Sequence, residues 1–210
     1  MKNYPIAASL VFALSVIALI LSQAAPMGVS RLGLLVSELM YHPLEPSQEE
    51  LGAGFTEASQ FEFIEIVNVS GDALDCQGLQ LSGVVQAALA EPTLLESSER
   101  GVLVANADAF AMRYGSDARI LGQFSGHLEN VGGLVQLELP DQPALTFRYQ
   151  SAIPWPVTPH GLGFSLTQAS ADATLDHNWA NRWRASAEPG GSPGRKDPEP
   201  RTLPIVISEV

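Results

Sequence analysis

The stretch Phe61-Glu62-Phe63-Ile64-Glu65-Ile66-Val67-Asn68 decides the fold class, because it is the strongest strand pattern in the chain. Its aromatic and β-branched residues favour extended backbone, and Ser70-Gly71-Asp72 ends it with turn residues. Short apolar runs closed by turn residues recur along the rest of the chain, a pattern typical of an all-β sandwich or barrel. These further predicted strands are residues 34–41, 79–81, 101–105, 120–124, 134–139, 144–149 and 161–166.

One segment departs from this pattern. Asn106-Ala107-Asp108-Ala109-Phe110-Ala111-Met112-Arg113-Tyr114-Gly115 combines a capping residue, strong helix formers and a terminal glycine, which predicts one short helix that crosses between strands. Residues 45–59 are acidic and contain glycine, which predicts a loop. The three tryptophans, Trp155, Trp179 and Trp183, are predicted to cover one open end of the core.

Length and charge limit the classes of protein to consider. The chain has 210 residues, enough for one ordinary domain. Its 11 basic and 23 acidic residues give a net charge of −12, and no Lys or Arg occurs between Arg31 and Arg100, where 12 acidic residues fall. Such a surface argues against nucleic acid or anionic lipid as a partner.

The single cysteine, Cys76, excludes an intramolecular disulfide. Its apolar neighbours favour a buried core position, and the alternative is a disulfide bond between two molecules.

The first 24 residues have the layout of a secretory signal peptide. Lys2 is followed by an uncharged, apolar run from Tyr4 to Leu21, and Ser22-Gln23-Ala24 supplies small residues at a cleavage site. Cleavage after Ala24 is predicted; the alternative is an uncleaved membrane anchor. The expected location is therefore extracellular or at the cell surface. The mature chain would keep 10 basic and 23 acidic residues, a net charge of −13.

The C-terminal part predicts a domain boundary. Residues 32–195 form the predicted domain, and residues 196–204 a Pro-rich linker. Ile205-Val206-Ile207-Ser208-Glu209-Val210 then repeats the residue classes of Leu34-Leu35-Val36-Ser37-Glu38-Leu39. This predicts the first strand of a second, truncated repeat over 205–210. The alternative is a C-terminal strand that docks on the same sandwich.

Five segments resemble, in order, the bacterial lamin tail domain family. They are Leu35-Val36-Ser37-Glu38-Leu39-Met40-Tyr41-His42-Pro43, Glu62-Phe63-Ile64-Glu65-Ile66-Val67-Asn68, the helix ending Phe110-Ala111-Met112-Arg113-Tyr114-Gly115, Gly161-Leu162-Gly163-Phe164-Ser165-Leu166, and Trp183-Arg184-Ala185-Ser186 with Gly190-Gly191-Ser192-Pro193-Gly194.

The resemblance covers about Leu34 to Gly194. It implies an immunoglobulin-like β-sandwich without a catalytic site, used as an interaction module in exported, multidomain bacterial proteins. Residues 45–59 are longer than the compact turn of that family, so this stretch is where the chain departs from its pattern.

Three glutamates stand out because they interrupt apolar strands. Glu38, Glu62 and Glu65, with Asp72 or Asp75 nearby, predict either a carboxylate cluster for calcium or acid–base chemistry, or structural carboxylates bonded to backbone and hydroxyl groups. Alternation places Glu65 with Phe61, Phe63 and Val67 on one face of the strand, and Glu62 on the other.

A second oxygen-rich stretch contains Asp172, Asp176, His177 and Asn178, without the spacing of a helix–loop–helix calcium loop. The calcium candidates are therefore Glu38, Glu65, Asp172 and Asp176. The four histidines are scattered, and no nucleophile elbow or phosphate loop is present in the sequence. No catalytic or cofactor-binding residue is predicted.

Together these features predict a non-catalytic extracellular interaction or structural module whose partner is a protein or a cell-surface polymer. The alternative is a calcium- or carbohydrate-binding β-sandwich domain accessory to a surface hydrolase. The weakest hypothesis is a hydrolase that uses the strand carboxylates.

Overall fold

The computed structural model describes residues 33–169 and 176–199. The predicted signal peptide, Asp172 and the predicted repeat strand at 205–210 lie outside the described residues. Within the described ranges no helix is both long and apolar enough to cross a bilayer.

The described chain is an all-β, immunoglobulin-like sandwich with two short α-helices. The first half contains β1 (Leu34–Met40), α1 (Gln48–Gly52), β2 (Phe63–Asn68), β3 (Leu74–Asp75), β4 (Gln80–Gly83), β5 (Val85–Ala88), β6 (Leu94–Leu95) and β7 (Arg100–Val104). The second half contains α2 (Ala107–Tyr114), β8 (Ile120–Gln123), β9 (Ser125–Gly126), β10 (Gly132–Glu138), β11 (Leu145–Gln150), β12 (Leu166–Gln168) and β13 (Trp183–Ala185). Two 3₁₀ turns cover Ala58–Phe61 and Ala180–Arg182.

Two sheets form the sandwich. A six-stranded sheet has the order β13-β12-β1-β2-β7-β8, and a five-stranded sheet has the order β11-β10-β4-β5-β9. β3 and β6 form a separate two-stranded pair. All pairs are antiparallel except β7 with β8. The chain passes directly from β8 in the first sheet to β9 in the second, which links the sheets at one corner.

The central strands β1 and β2 of the six-stranded sheet are buried on both faces. One face supplies Val36, Ile64 and Ile66 to a core shared with Val135 and Phe147 of the other sheet. The opposite face carries a smaller apolar cluster that packs under α2. Its buried members are Met40, Phe63, Val102, Val104, Phe110 and Ala118. Burial on both sides explains why β1 and β2 are almost continuously apolar.

The predicted crossing helix is confirmed as α2. The Asn106 side chain accepts hydrogen bonds from the backbone N–H groups of Asp108 and Ala109, and Gly115 ends the helix with φ of 82°. Both signals are local, which is why the sequence located this helix to within a residue.

Three details of the prediction are wrong. Residues 45–59 are not an open loop, because they contain α1, with a capping box between Ser47 and Glu50, and the start of the first 3₁₀ turn. The predicted strand at 161–166 begins only at Leu166, because Gly161 and Gly163 have φ of 83° and 77°, outside the range of a strand. Trp179 is 56% exposed, whereas Trp155 and Trp183 lie in the main core.

Candidate functional site

Two of the predicted acids meet on the outer face of the six-stranded sheet. Glu38 of β1 is the cross-strand partner of Glu65 of β2, next to a register shift in β1 between Val36 and Glu38. That bulge rotates Glu38 to the face shared by Met40 and α2. The exposed fraction is 1% for Glu38 and 0% for Glu65, so these carboxyl groups are inside the protein.

Glu38 is bonded to residues far along the chain. Its Oε1 accepts from the Ser165 hydroxyl at 2.6 Å and from the Ser192 N–H at 2.8 Å, and its Oε2 accepts from the Ser192 hydroxyl at 3.0 Å. Burial raises the pKa of Glu38 to about 7, the negative charge of Glu65 adds to the rise, and the serine hydrogen bonds oppose it.

Glu65 has an equally complete set of partners. Its Oε1 accepts from the Ser37 hydroxyl at 2.5 Å and from Arg100 Nη1 at 2.6 Å, and its Oε2 accepts from the Gly194 N–H at 2.7 Å. Burial raises the pKa of Glu65, while Arg100 and the hydrogen bonds lower it. Both carboxyl groups therefore hold the segment that contains Ser192 and Gly194, residues 188–197, here called the closing segment.

The closing segment needs glycine to pass over these carboxyl groups. Gly191 has φ of 73°, and a Cβ at this position would lie 2.0 Å from Glu38 Oε1. Gly194 has φ of 82°, and a Cβ there would lie 2.8 Å from the Ala118 Cα. Glycine is therefore required at both positions by close packing.

Ordered contacts continue into the predicted linker at 196–204. Asp197 is buried and its carboxylate accepts from Arg184 Nη1 and from the Ala187 N–H. The Pro198 carbonyl accepts from Arg184 Nη2 at 3.1 Å. The packed part of the chain thus extends to at least Pro198.

The remaining predicted acids lie apart from this pair. Glu62 lies just before β2 and bonds to Leu128 in the main core, and Asp72 and Asp75 are exposed. Asp75 Oδ1 accepts from the N–H groups of Gln77 and Thr93, each at 2.9 Å. Asp176 is exposed and accepts from the backbone and side-chain nitrogens of Asn178, which lower its pKa.

The calcium assignment to Glu38, Glu65, Asp172 and Asp176 stays a prediction. Among residues 33–169 and 176–199, no three His, Cys, Asp or Glu side chains are grouped so as to hold a metal ion. A calcium ion at Glu38 or Glu65 would have to displace the N–H and O–H donors that now bond to their oxygens.

The chain was compared with family models, curated proteins and solved structures. None of them matches.

A second polar site lies in a cleft of about 220 Å³ at one end of the sandwich. Glu62 lines this cleft with an exposed fraction of only 2%, and its Oε2 accepts from the Leu128 N–H at 2.7 Å. Burial raises the pKa of Glu62 to about 8, and the charge of Glu129 adds to the rise. The predicted carboxylates thus include one acid whose burial favours the protonated form.

Sequence reasoning missed the histidines of this end. His42, which follows β1, and His160, which lies in the connection from β11 to β12, face each other with their Nδ1 atoms 3.4 Å apart. His127 Nε2 lies 3.2 Å from Glu129 Oε1 in the same cleft. His42 and His160 are 118 residues apart, so no local spacing could have paired them.

The predicted interpretation of Cys76 as a core residue is confirmed. The thiol is free and buried. Burial raises the pKa of Cys76 to about 11, which leaves the thiol protonated and unreactive at neutral pH.

Proposed function

We propose that this protein is an exported, non-catalytic interaction module of the lamin tail type, serving a larger bacterial surface protein. Its partner would be another protein or a cell-surface polymer. The observation that supports this proposal is that four of the five segments that carry the family resemblance meet in one buried polar cluster around Glu38 and Glu65, and the remaining one, the helix segment, packs beside it.

Four of the five segments contribute a group to that cluster. The first two supply Glu38 and Glu65 themselves, and the fourth supplies Ser165, whose hydroxyl bonds to Glu38. The fifth supplies Ser192 and Gly194, which bond to the two carboxyl groups.

The remaining links join the segments to one another. Ser186, in the first part of the fifth segment, accepts from the Ser165 N–H at 3.0 Å. The helix segment lies alongside the fifth segment, since a Cβ built at Gly190 would be 3.9 Å from the ring of Tyr114. Because these segments lie together in space, they support one common structural origin of the resemblance rather than five separate coincidences of sequence.

The same network supports a non-catalytic role for Glu38 and Glu65. Each carboxyl group accepts three hydrogen bonds from within the domain and is out of contact with solvent. A general acid, general base or nucleophile must reach a substrate proton or carbon. These groups instead hold the closing segment onto the sandwich.

The binding proposal can be tested with the mature chain, residues 25–210. Purified protein is mixed with sacculi and with intact cells of the producing bacterium, and the bound fraction is measured by cosedimentation over a range of protein concentrations. Saturable binding with unchanged sacculus turbidity is the expected result. Failure to bind either surface, or clearing of the sacculi, would contradict the proposal.

Export is tested separately. The full chain carrying a C-terminal tag is produced in the same bacterium, and the N-terminus of the protein outside the cytoplasm is sequenced. An N-terminus at Ala25 is expected from the small residues that precede it. Recovery of the intact chain from the cytoplasm alone would overturn the proposed location.

A further inference from the structure

A pair of histidines that the proposed function does not use lies at the edge of the cleft at the end of the sandwich. His42 is half-buried just after β1, and His160 is exposed on the connection from β11 to β12. The two imidazole rings are nearly perpendicular, with centroids 5.0 Å apart and an interplanar angle of 73°. Their Nδ1 atoms face each other rather than pointing toward separate partners.

We infer that His42 and His160 form a binding site for a divalent transition-metal ion, with Zn²⁺ as the reference ion. This inference rests on the distance between the two Nδ1 atoms. Two ligands of a tetrahedral zinc ion, each about 2.0–2.1 Å from the metal, are about 3.3–3.4 Å from each other. The observed Nδ1–Nδ1 distance is 3.4 Å.

A third Lewis base lies beside the pair. The Asn130 carbonyl oxygen is 3.0 Å from His160 Nδ1. Without metal, the His160 Nδ1–H donates to this carbonyl, and the His42 Nδ1 lies at the longer distance of 3.4 Å. A metal ion takes the place of that proton, which His160 then carries on Nε2. Water completes the coordination, because the described residues offer no third His, Cys, Asp or Glu ligand here.

The surroundings favour a cation. His42 and Asn130 line the 220 Å³ cleft together with the acids Glu45 and Glu129. Imidazole nitrogen selects borderline ions such as Zn²⁺, Ni²⁺ and Cu²⁺ over calcium, which prefers a shell of oxygen ligands. The site therefore differs in both residues and chemistry from the calcium candidates Glu38 and Glu65.

The bound ion would join two distant parts of the chain. His42 is fixed at the end of a central strand, whereas His160 belongs to the long connection at 151–165. Bridging them stabilises the folded chain in proportion to metal occupancy, because the unfolded chain does not hold the two nitrogens together.

The test is a titration of the mature chain with ZnCl₂ by isothermal calorimetry, followed by thermal melting with and without the ion. One equivalent of Zn²⁺ with a micromolar dissociation constant and a raised melting temperature are expected. His42→Gln and His160→Gln should each weaken binding at least about tenfold. CoCl₂ adds a spectroscopic readout, since tetrahedral Co²⁺ absorbs strongly in the visible.

The matched control is His127→Gln, which removes an exposed histidine of the same cleft and should leave the affinity unchanged. Melting of each variant without metal identifies any that fails to fold, and His42→Asn then replaces the glutamine variant. The inference is overturned if the wild-type chain binds no Zn²⁺ at millimolar concentration, or if the control weakens binding as much as the His42 and His160 variants do.

Discussion

Gly191 is the residue on which the closing segment depends most directly. It combines a left-handed backbone conformation with a Cβ position 2.0 Å from Glu38 Oε1. Gly190 has a similar φ of 88°, but the nearest atom to its Cβ position is 3.9 Å away. Alanine substitutions at these two adjacent glycines therefore separate the destabilising effect of a positive φ from that of a steric clash.

Replacing Gly191 with alanine is expected to destabilise the protein by about 2 kcal/mol more than replacing Gly190 with alanine. Both variants place a side chain on a residue with positive φ, but only in Gly191→Ala does the added methyl group clash with the buried carboxyl group of Glu38. Urea unfolding of the two variants measures the difference. Equal free energies of unfolding would show that Glu38 yields to a methyl group and does not fix the closing segment.

Glu62 makes stability depend on pH. Its pKa is about 8 in the folded protein and 4.5 as an ordinary glutamate, so between these values the folded protein holds a proton that the unfolded chain has released. Its contribution to the free energy of unfolding is complete below pH 4.5 and decreases as the pH rises toward 8. Glu38, with a pKa of about 7, acts in the same direction.

Glu62→Gln should therefore flatten the pH dependence of stability. The amide oxygen can still accept from the Leu128 N–H, so the variant should match the wild type near pH 5 and exceed its stability at pH 8 by on the order of 3 kcal/mol. Urea unfolding across this pH range is the measurement. The control is Glu91→Gln at an exposed turn, and parallel pH curves for wild type and Glu62→Gln would refute the prediction.

At the scale of elements, α1 and α2 are joined by one arginine. Arg113 of α2 donates from Nε and Nη2 to both oxygens of Glu50 in α1, at 2.8 Å and 2.7 Å, and from Nη1 to the Leu44 carbonyl. Its guanidinium also lies 3.4 Å from the centre of the Phe61 ring. Hydrogen bonds from Arg113 lower the pKa of Glu50 to about 2. This contact orders residues 45–59, which by composition resembled a loop.

Arg113→Lys should loosen that segment without unfolding the sandwich. Lysine keeps the charge but not the planar pair of donors, so a loss of about 2 kcal/mol is expected. Hydrogen exchange should become faster in residues 48–55 and stay unchanged in β2 and β7. Arg148→Lys, on an exposed position of β11, is the control. Unchanged exchange in residues 48–55 of Arg113→Lys would mean that α1 is held by its own capping box.

At the scale of the whole molecule, one edge strand of each sheet is partly covered by a later part of the chain. β11 is an edge strand of the five-stranded sheet, and Asn178 covers part of its free side by accepting from the Arg148 N–H at 3.0 Å. On the other sheet, the backbone just after the edge strand β13 is bonded to Asp197. Covered edges resist pairing with other chains.

Asn178→Ala should increase self-association, because it leaves the Arg148 N–H unpaired at the edge of β11. Light scattering and size-exclusion chromatography at rising protein concentration are expected to detect dimers or larger species at several-fold lower concentration than for the wild type. Gln150→Ala, a change on the same strand that leaves Asn178 in place, is the control. Unchanged association of Asn178→Ala would indicate that other features protect this edge.

The sequence by itself determined the elements whose signals are local. The class of the fold follows from short apolar runs such as residues 61–68, and the limits of α2 follow from Asn106 and Gly115, because strand periodicity and helix capping act within a few residues. The burial of Cys76 follows in the same way from its apolar neighbours.

Only the tertiary structure decided which distant residues meet. Glu38 and Ser192 are 154 residues apart, and His42 and His160 are 118 apart, so their contacts depend on strand register and on how the connections fold back. The bulge in β1 turns Glu38 toward the closing segment, and burial then gives its carboxyl group an altered pKa. The sequence could show that glutamates inside apolar strands are unusual, but their hydrogen-bond partners depend on long-range packing.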